Sequence, residues 1–248
     1  MSLSILVLSA VLVIDSNVEK IPAYAYQDRD DITEVCFEVP SKLKEIGEYA
    51  FLGCTGIEKI ELPNSVVKIG EGAFRECSSL KELSFPASVK ALPKYVCAWD
   101  SALTTVILPS TLQDIGSHAF AYCASLDSIS IPARVSHIGS NAFSCCTSLR
   151  HIKLPAMMKE LESYAFSECV SLESAVMPAN RNMLGELIFS GCRNLSRLTV
   201  MSPVPPTFDC NSFIFEPDET ELYKNCRLLV PEGKEAAYKS APGWCLFF

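Results

Sequence analysis

The sequence predicts an α/β solenoid in which one curved parallel sheet lies on one face and short helices or turns lie on the other. Three observations predict this fold class: a regular 23-residue repeat, an alternating apolar pattern within each unit, and a proline after each strand-like segment. A unit of this length cannot bury its own apolar side chains, so neighbouring units must stack to share a continuous core.

The repeat is defined by columns of residues that recur at a constant interval of 23 positions. The proline column contains Pro63, Pro86, Pro109, Pro132, Pro155 and Pro178. The phenylalanine column, in which Cys97 replaces one aromatic residue, contains Phe51, Phe74, Phe120, Phe143, Phe166 and Phe189. Chance does not keep several columns in phase over so many units, so the period indicates a repeat architecture.

Each unit contains one predicted strand, one predicted turn and a bend between them. In the strand, Ile152 and Leu154 point inward and Lys153 points outward, as in a half-buried strand. The proline that follows cannot donate to a strand ladder and therefore ends the pairing. The A-F-x-x-C segment has the apolar spacing of an inward-facing helical turn. The glycine of the I-G pair permits a tight bend.

The repeat frame extends toward both ends of the chain. Leu12 and Ile14 fall on the strand columns, so the apolar N-terminal segment is predicted to be a first strand that ends the stack. The alternative is a secretory signal, although no Lys or Arg precedes Lys20. Phe208 and Phe213 keep the frame after a one-residue insertion. We therefore expect a solenoid with an N-terminal capping strand over 1–200 and a C-terminal capping segment over 201–248, both in one structural unit.

The charge of the chain excludes some classes of partner. The net charge is 21 − 29 = −8, with an isoelectric point near 5.0, and no run of basic residues is present. These values argue against nucleic acid and anionic membrane as partners. The longest apolar run, residues 3–14, is too short to be a transmembrane segment.

The twelve cysteines are predicted to be mostly structural. Six of them form one repeat column: Cys54, Cys77, Cys123, Cys146, Cys169 and Cys192. Stacked equivalents have parallel Cβ directions, whereas a disulfide needs converging ones, so this column is expected to be reduced and buried. Cys145 is expected to be a partly exposed free thiol, and whether Cys226 and Cys245 pair is left open. No C-x-x-C is present to suggest zinc.

Nothing in the sequence predicts catalysis, and no catalytic, cofactor-binding or metal-binding residue is assigned. The nucleophile elbow, the glycine-rich phosphate loop and the H-E-x-x-H motif are all absent. His118, His137 and His151 lie in variable columns and are expected to be solvated. Cys145 and His151 fall on different faces of a coil, which argues against a Cys–His dyad.

The outward side of the predicted sheet is the candidate binding surface. A rigid, shallow, concave face suits a protein or glycan ligand better than a small molecule. The alternative is that these side chains only solvate the sheet. The candidate residues are Lys59, Glu82, Thr105, Ile107, Ser128, Ser130, His151, Lys153 and Arg197.

Units such as "IGEGAFRECSSLKELSFPASV" and "IGSHAFAYCASLDSISIPARV" resemble the BspA-like class of bacterial leucine-rich repeats. The resemblance covers about residues 12–200, and "LLVPEGKEAAYKSAPGW" resembles the C-terminal end of many such proteins. It implies a leucine-rich-repeat solenoid, a cell-surface or secreted location, and adhesion or another protein–protein interaction as the role. A structural scaffold or spacer without a ligand of its own is the alternative. The family carries over no catalytic residue and no cofactor.

Overall fold

A computed structural model describes residues 5–8, 11–156, 158–179, 184–207, 214–216 and 220–248, with only the backbone given for 5–8. Phe208, Cys210 and Phe213 lie outside these residues. In chain order the strands are β1 (Ile5–Leu8), β2 (Val11–Ile14), β3 (Lys20–Ile21), β4 (Glu34–Phe37), β5 (Glu45–Ile46), β6 (Lys59–Ile60), β7 (Lys68–Ile69), β8 (Glu82–Ser84), β9 (Ala91–Leu92), β10 (Thr105–Ile107), β11 (Asp114–Ile115), β12 (His137–Ile138), β13 (His151–Lys153), β14 (Glu160–Leu161), β15 (Ser174–Met177), β16 (Arg197–Val200) and β17 (Arg227–Leu229).

The predicted strands form a parallel ladder, which confirms the parallel-sheet solenoid. One part of this first ladder runs β1-β2-β4-β6-β8-β10 and the other runs β13-β15-β16-β17. Every pairing is parallel except that of β1, which pairs antiparallel with β2. Partners lie one repeat apart, as in Glu82 with Thr105 and Ser174 with Arg197.

The first ladder is interrupted at one coil. Within the described residues, no ladder joins β10 to the following coil. Ser128 of that coil makes a single bridge to His151 of β13. The one sheet expected from the sequence is therefore divided into two parts around residues 126–131.

A second ladder of two-residue strands was not expected from the sequence. It is built from the I-G segments and runs β3-β5-β7 and β9-β11-β12-β14. The glycines serve a close approach between coils at this ladder. A Cβ at Gly70 would lie 2.4 Å from the Glu48 nitrogen, and one at Gly139 would lie 2.5 Å from the Ser117 nitrogen. Glycine is thus needed here because a neighbouring backbone occupies the space of a side chain.

The face opposite the first ladder consists of turns, so the helical turn expected for A-F-x-x-C does not form. Two columns in each coil have left-handed backbone, which a right-handed helix cannot contain. The phenylalanine nitrogens donate to the next coil instead, as from Phe120 to the Ala142 carbonyl at 2.8 Å. The left-handed residues are Tyr24, Asp28, Tyr49, Gly53, Gly72, Glu76, Tyr95, Trp99, His118, Tyr122, Asn141, Cys145, Tyr164, Glu168, Leu187 and Gly191.

The core is a stack of equivalent side chains. Phe143 is fully buried and stacks between Phe120 at 5.3 Å and Phe166 at 5.2 Å, measured between ring centroids. The column cysteines are also buried, and each thiol donates to the carbonyl of the phenylalanine-column residue in the preceding coil. One example is the bond from the Cys146 thiol to the Phe120 carbonyl at 3.2 Å. Each described cysteine is a free thiol, including the buried Cys226 and the exposed Cys245.

The C-terminal segment packs against the last coils. Its strand β17 pairs with β16, and it adds the helices α1 (Thr220–Asn225) and α2 (Glu235–Ser240) and a 3₁₀ turn (Cys245–Phe247). Trp244 is fully buried and donates from its indole nitrogen to the Pro206 carbonyl at 2.9 Å. The boundary at residue 200 stays a prediction. None of the helices in the described part of the chain has the length and apolarity to cross a bilayer.

Candidate binding surface

Strand alternation places the nine candidate residues on one side of the first ladder. Each of them is exposed, and in most coils the residue between them is buried, as in the exposed–buried–exposed pattern of Glu82–Ser84. Strand register aligns them in two columns along the stack. We call this surface the outer sheet face and define it by Glu34, Cys36, Lys59, Glu61, Glu82, Ser84, Thr105, Ile107, Ser128, Ser130, His151, Lys153, Ser174, Val176, Arg197 and Thr199.

An open groove of about 930 Å³ lies on the outer sheet face where the first ladder is interrupted. Five of the nine candidate residues line this groove: Thr105, Ser128, Ser130, His151 and Lys153. The other four, Lys59, Glu82, Ile107 and Arg197, are exposed on the same face outside it. The candidate residues therefore divide into five that line the groove and four that lie on the same face outside it.

The floor of the groove is apolar. Ile129 is half-buried there, although the equivalent Leu83 and Ile152 of other coils are buried, and Ile131 is half-buried as well. Val176 adds a further apolar side chain to the lining. An apolar floor with a few polar groups at its edge is the usual composition of a ligand-binding site.

The rim of the groove carries polar groups and a cation. The His151 Nδ1 and the Ser174 hydroxyl are hydrogen-bonded at 2.9 Å, and the Ser128 hydroxyl donates to Asp127 Oδ1 at 2.8 Å. Within the described ranges, Lys153 forms no ion pair. Its ammonium group is thus available to an acidic group of a ligand.

The N-terminal half of the outer sheet face has its one cation, Lys59, in ion pairs. Lys59 Nζ lies 2.8 Å from Glu61 Oε1 and 4.0 Å from Glu34 Oε1. The hydrogen bond between Lys59 and Glu61 raises the pKa of the lysine and lowers the pKa of the glutamate. This half therefore offers a ligand no unpaired cation among the described residues, and its three glutamates leave it net acidic.

A ring stack on the turn face was missed by the sequence analysis. The rings of Tyr95 and His118 lie 4.7 Å apart, those of Trp99 and Tyr122 lie 5.1 Å apart, and the Arg75 guanidinium covers the Trp99 ring at 4.5 Å. The sequence feature that could have predicted it is the number of aromatic residues in the two left-handed columns of the turns. Since the neighbouring rings cover one another's faces, this cluster is more a packing feature than an open site.

Two of the three histidines are not solvated as expected. His118 is half-buried in the ring stack, and burial lowers its pKa. His137 is also half-buried, and its Nε2 lies 2.8 Å from Glu162 Oε1. The expectation of exposure was wrong for both because stacked coils place groups one repeat away beside them. His151 is exposed.

Solved structures with this fold come from several bacteria. A leucine-rich repeat protein from Bacteroides ovatus superimposes with a TM-score of 0.60 at 21% identity over 92% of this chain and 64% of its own. A leucine-rich cell surface protein from Faecalibacterium prausnitzii gives 0.53 at 21% identity over 92% and 81%. The leucine-rich repeat protein of T. pallidum gives 0.52 at 26% identity over 75% and 78%.

The chain thus spans less than two thirds of the Bacteroides ovatus protein. Among curated protein sequences, none matches it. The BspA type leucine rich repeat region matches residues 9–98 and 90–214 in six copies, which together cover most of the chain. The stacked 23-residue coils, the ladder and this match identify the chain as a member of the BspA-type leucine-rich repeat proteins.

Proposed function

We propose that this chain is a non-enzymatic binding module that holds a protein or glycan partner on the outer sheet face, centred on the groove. The observation that carries the proposal is the groove itself, whose lining combines the apolar Ile129 and Ile131 with Lys153, an ammonium that has no ion pair among the described residues. The partner that fits this arrangement offers an apolar group next to an acidic one. A repeat solenoid provides the rigid surface that such binding requires.

The test blocks the groove without disturbing the fold. Ser130 is exposed in the groove, and Ser84 occupies the same column of the first ladder two coils earlier, outside the groove. We expect Ser130→Tyr to weaken binding at least tenfold, about 1.4 kcal/mol. The matched control Ser84→Tyr should bind as the unchanged chain does. Lys153→Glu should also weaken binding and should reduce its dependence on salt.

The probe is a defined panel of extracellular-matrix proteins and surface glycans, applied to the immobilised chain at physiological salt. Retention of at least one panel member, lost in Ser130→Tyr and kept in Ser84→Tyr, supports the proposal. Retention that both tyrosine variants share equally contradicts the groove as the site. Failure of the whole panel favours the scaffold alternative, as does binding that survives charge reversal of both Lys153 and Glu82.

We further propose a location at the cell surface or outside the cell, with adhesion as the role of the binding. Membership of the BspA-type repeat proteins supports this, as does the description of the Faecalibacterium prausnitzii neighbour as a cell surface protein. Antibody labelling of intact source cells tests the location. Labelling that requires permeabilised cells would refute it.

A further inference from the structure

The second ladder brings four metal-ligating side chains together from three consecutive coils. Asp114, His137 and Glu160 occupy equivalent positions of β11, β12 and β14 and are paired in register. Glu162 follows on the same coil as Glu160. One ligand atom from each of His137, Glu160 and Glu162 lies within 4.8 Å of the others. We propose that these three side chains bind a divalent transition metal ion, with Zn²⁺ the ion that they fit best.

The imidazole of His137 has the surroundings of a metal ligand. Its Nε2 lies 2.8 Å from Glu162 Oε1. Since a carboxylate only accepts hydrogen bonds, Nε2 carries the proton in the metal-free protein. Binding of a metal at Nε2 moves that proton to Nδ1, which faces Asp114 Oδ1 at 4.0 Å. A carboxylate behind the second ring nitrogen is the arrangement that orients metal-bound histidines.

Hydrogen bonds hold the Glu162 side chain in position to act as a metal ligand. Its Oε2 accepts hydrogen bonds from the Ser140 backbone nitrogen at 2.8 Å and from the Ser140 hydroxyl at 2.7 Å. The other oxygen, Oε1, is thereby directed at His137. Glu160 is exposed and can adjust its side chain to complete the set. Three protein ligands leave the fourth position of a tetrahedral ion to water.

The charge balance also distinguishes this position from the rest of the ladder. In the column of the second ladder that contains Asp114, His137 and Glu160, an earlier residue is Glu45. It is paired with two lysines, Lys20 at 3.2 Å and Lys68 at 2.9 Å. In the part of the chain that the structure describes, the carboxylates of Asp114, Glu160 and Glu162 make no ion pair with Lys or Arg.

The ligand set of His137, Glu160 and Glu162 carries two negative charges when its imidazole is neutral, and one dication would balance them. A set that includes an imidazole nitrogen favours Zn²⁺ over Mg²⁺ and Ca²⁺, which prefer oxygen ligands alone.

The experiment titrates ZnCl₂ into the chelator-treated full chain, with exposed thiols alkylated so that cysteine cannot bind the ion. We expect one Zn²⁺ per chain and a Tm that rises with zinc concentration, because the ion joins adjacent coils. His137→Ala and Glu162→Gln should each lower the affinity by roughly 100-fold or more, and Asp114→Asn by about 10- to 100-fold. His151→Ala is the matched control and should bind zinc normally.

Glu160→Gln keeps the test independent of folding, because this side chain is exposed and its loss of affinity is not caused by unfolding. The proposal is overturned by an absence of saturable zinc binding or by full displacement of zinc by equimolar MgCl₂. It is also overturned if the His137→Ala and Glu160→Gln variants bind zinc as tightly as the unchanged chain does. The site lies on the second ladder, away from the groove. A negative zinc titration would leave the proposed binding function unaffected, and a negative binding panel would leave the proposed zinc site unaffected.

Discussion

Asp100 is the residue that departs most from its column. It occupies the position where the neighbouring coils have Cys77 and Cys123, and it is fully buried. Its Oδ1 accepts a hydrogen bond from the Cys77 backbone nitrogen at 2.8 Å. Burial raises the pKa of this carboxyl well above its ordinary range, which favours the neutral form in the folded chain.

This protonation predicts a pH-dependent stability. Because the pKa of Asp100 is raised in the folded state, the unfolded chain releases its proton first, from a pKa of 3.8. The contribution of Asp100 to the free energy of unfolding is therefore complete below that pH. It falls as the pH rises toward the folded pKa, by about 1.4 kcal/mol per pH unit. We expect Asp100→Asn to be more stable than the unchanged chain at pH 7 and no more stable at pH 3.5.

Urea denaturation at the two pH values measures the difference. A variant that is less stable than the unchanged chain at pH 7 would show that Asp100 is needed as a carboxylate. Asp127→Asn, on the exposed rim of the groove, is the control and should change little.

At the scale of the element, the glycines of the second ladder let neighbouring coils approach closely. Gly70 is followed by a turn, but the reason for a glycine is the preceding coil. A Cβ at Gly70 would lie 2.4 Å from the backbone of that coil. A methyl group there must push two coils apart. The strand columns were predictable because inward and outward alternation is local to each strand, whereas the spacing between coils is not.

We expect Gly70→Ala to lower the free energy of unfolding by about 1–3 kcal/mol, as for other overpacked sites. Ser101→Ala, at an exposed turn position, should stay within about 0.5 kcal/mol of the unchanged chain. Guanidinium denaturation monitored by circular dichroism compares the two. Equal stability of both variants would contradict the close-approach explanation.

At the scale of the whole molecule, stability depends on how the stack ends. Tyr238 and Trp244 are fully buried at the C-terminal end, with ring centroids 5.4 Å apart. The Tyr238 hydroxyl donates to the Ser202 carbonyl at 2.8 Å, and the Trp244 indole donates to the Pro206 carbonyl. These contacts join α2 and the 3₁₀ turn to the start of the same C-terminal segment, just beyond β16.

Loss of the packing at the C-terminal end should destabilise the nearest coils first, because each repeat contacts only its neighbours. We expect Trp244→Ala to cost about 3–5 kcal/mol and Tyr238→Phe about 1 kcal/mol. Hydrogen exchange should show the loss of protection concentrated around β15 and β16, with β4 and β6 unchanged. Uniform loss along the whole chain would indicate one cooperative unit instead.

The sequence by itself determined the period, the core columns and the side of the strand that faces solvent. Each of these follows from the local alternation of apolar residues and from their recurrence at 23 positions. For this reason the nine candidate residues could be assigned to one face. The buried cysteine column was predictable in the same way.

Only the tertiary structure decided where along that face a concave site lies and which side chains meet on the second ladder. The groove arises because the coil of Ile129 does not pair with β10, although its sequence has the same pattern as its neighbours. Asp114, His137 and Glu160 are 23 residues apart and become neighbours only when the coils stack. The turn amides donate to the adjacent coil, as from His118 to the Ser140 carbonyl at 2.9 Å, a partner that no single unit contains.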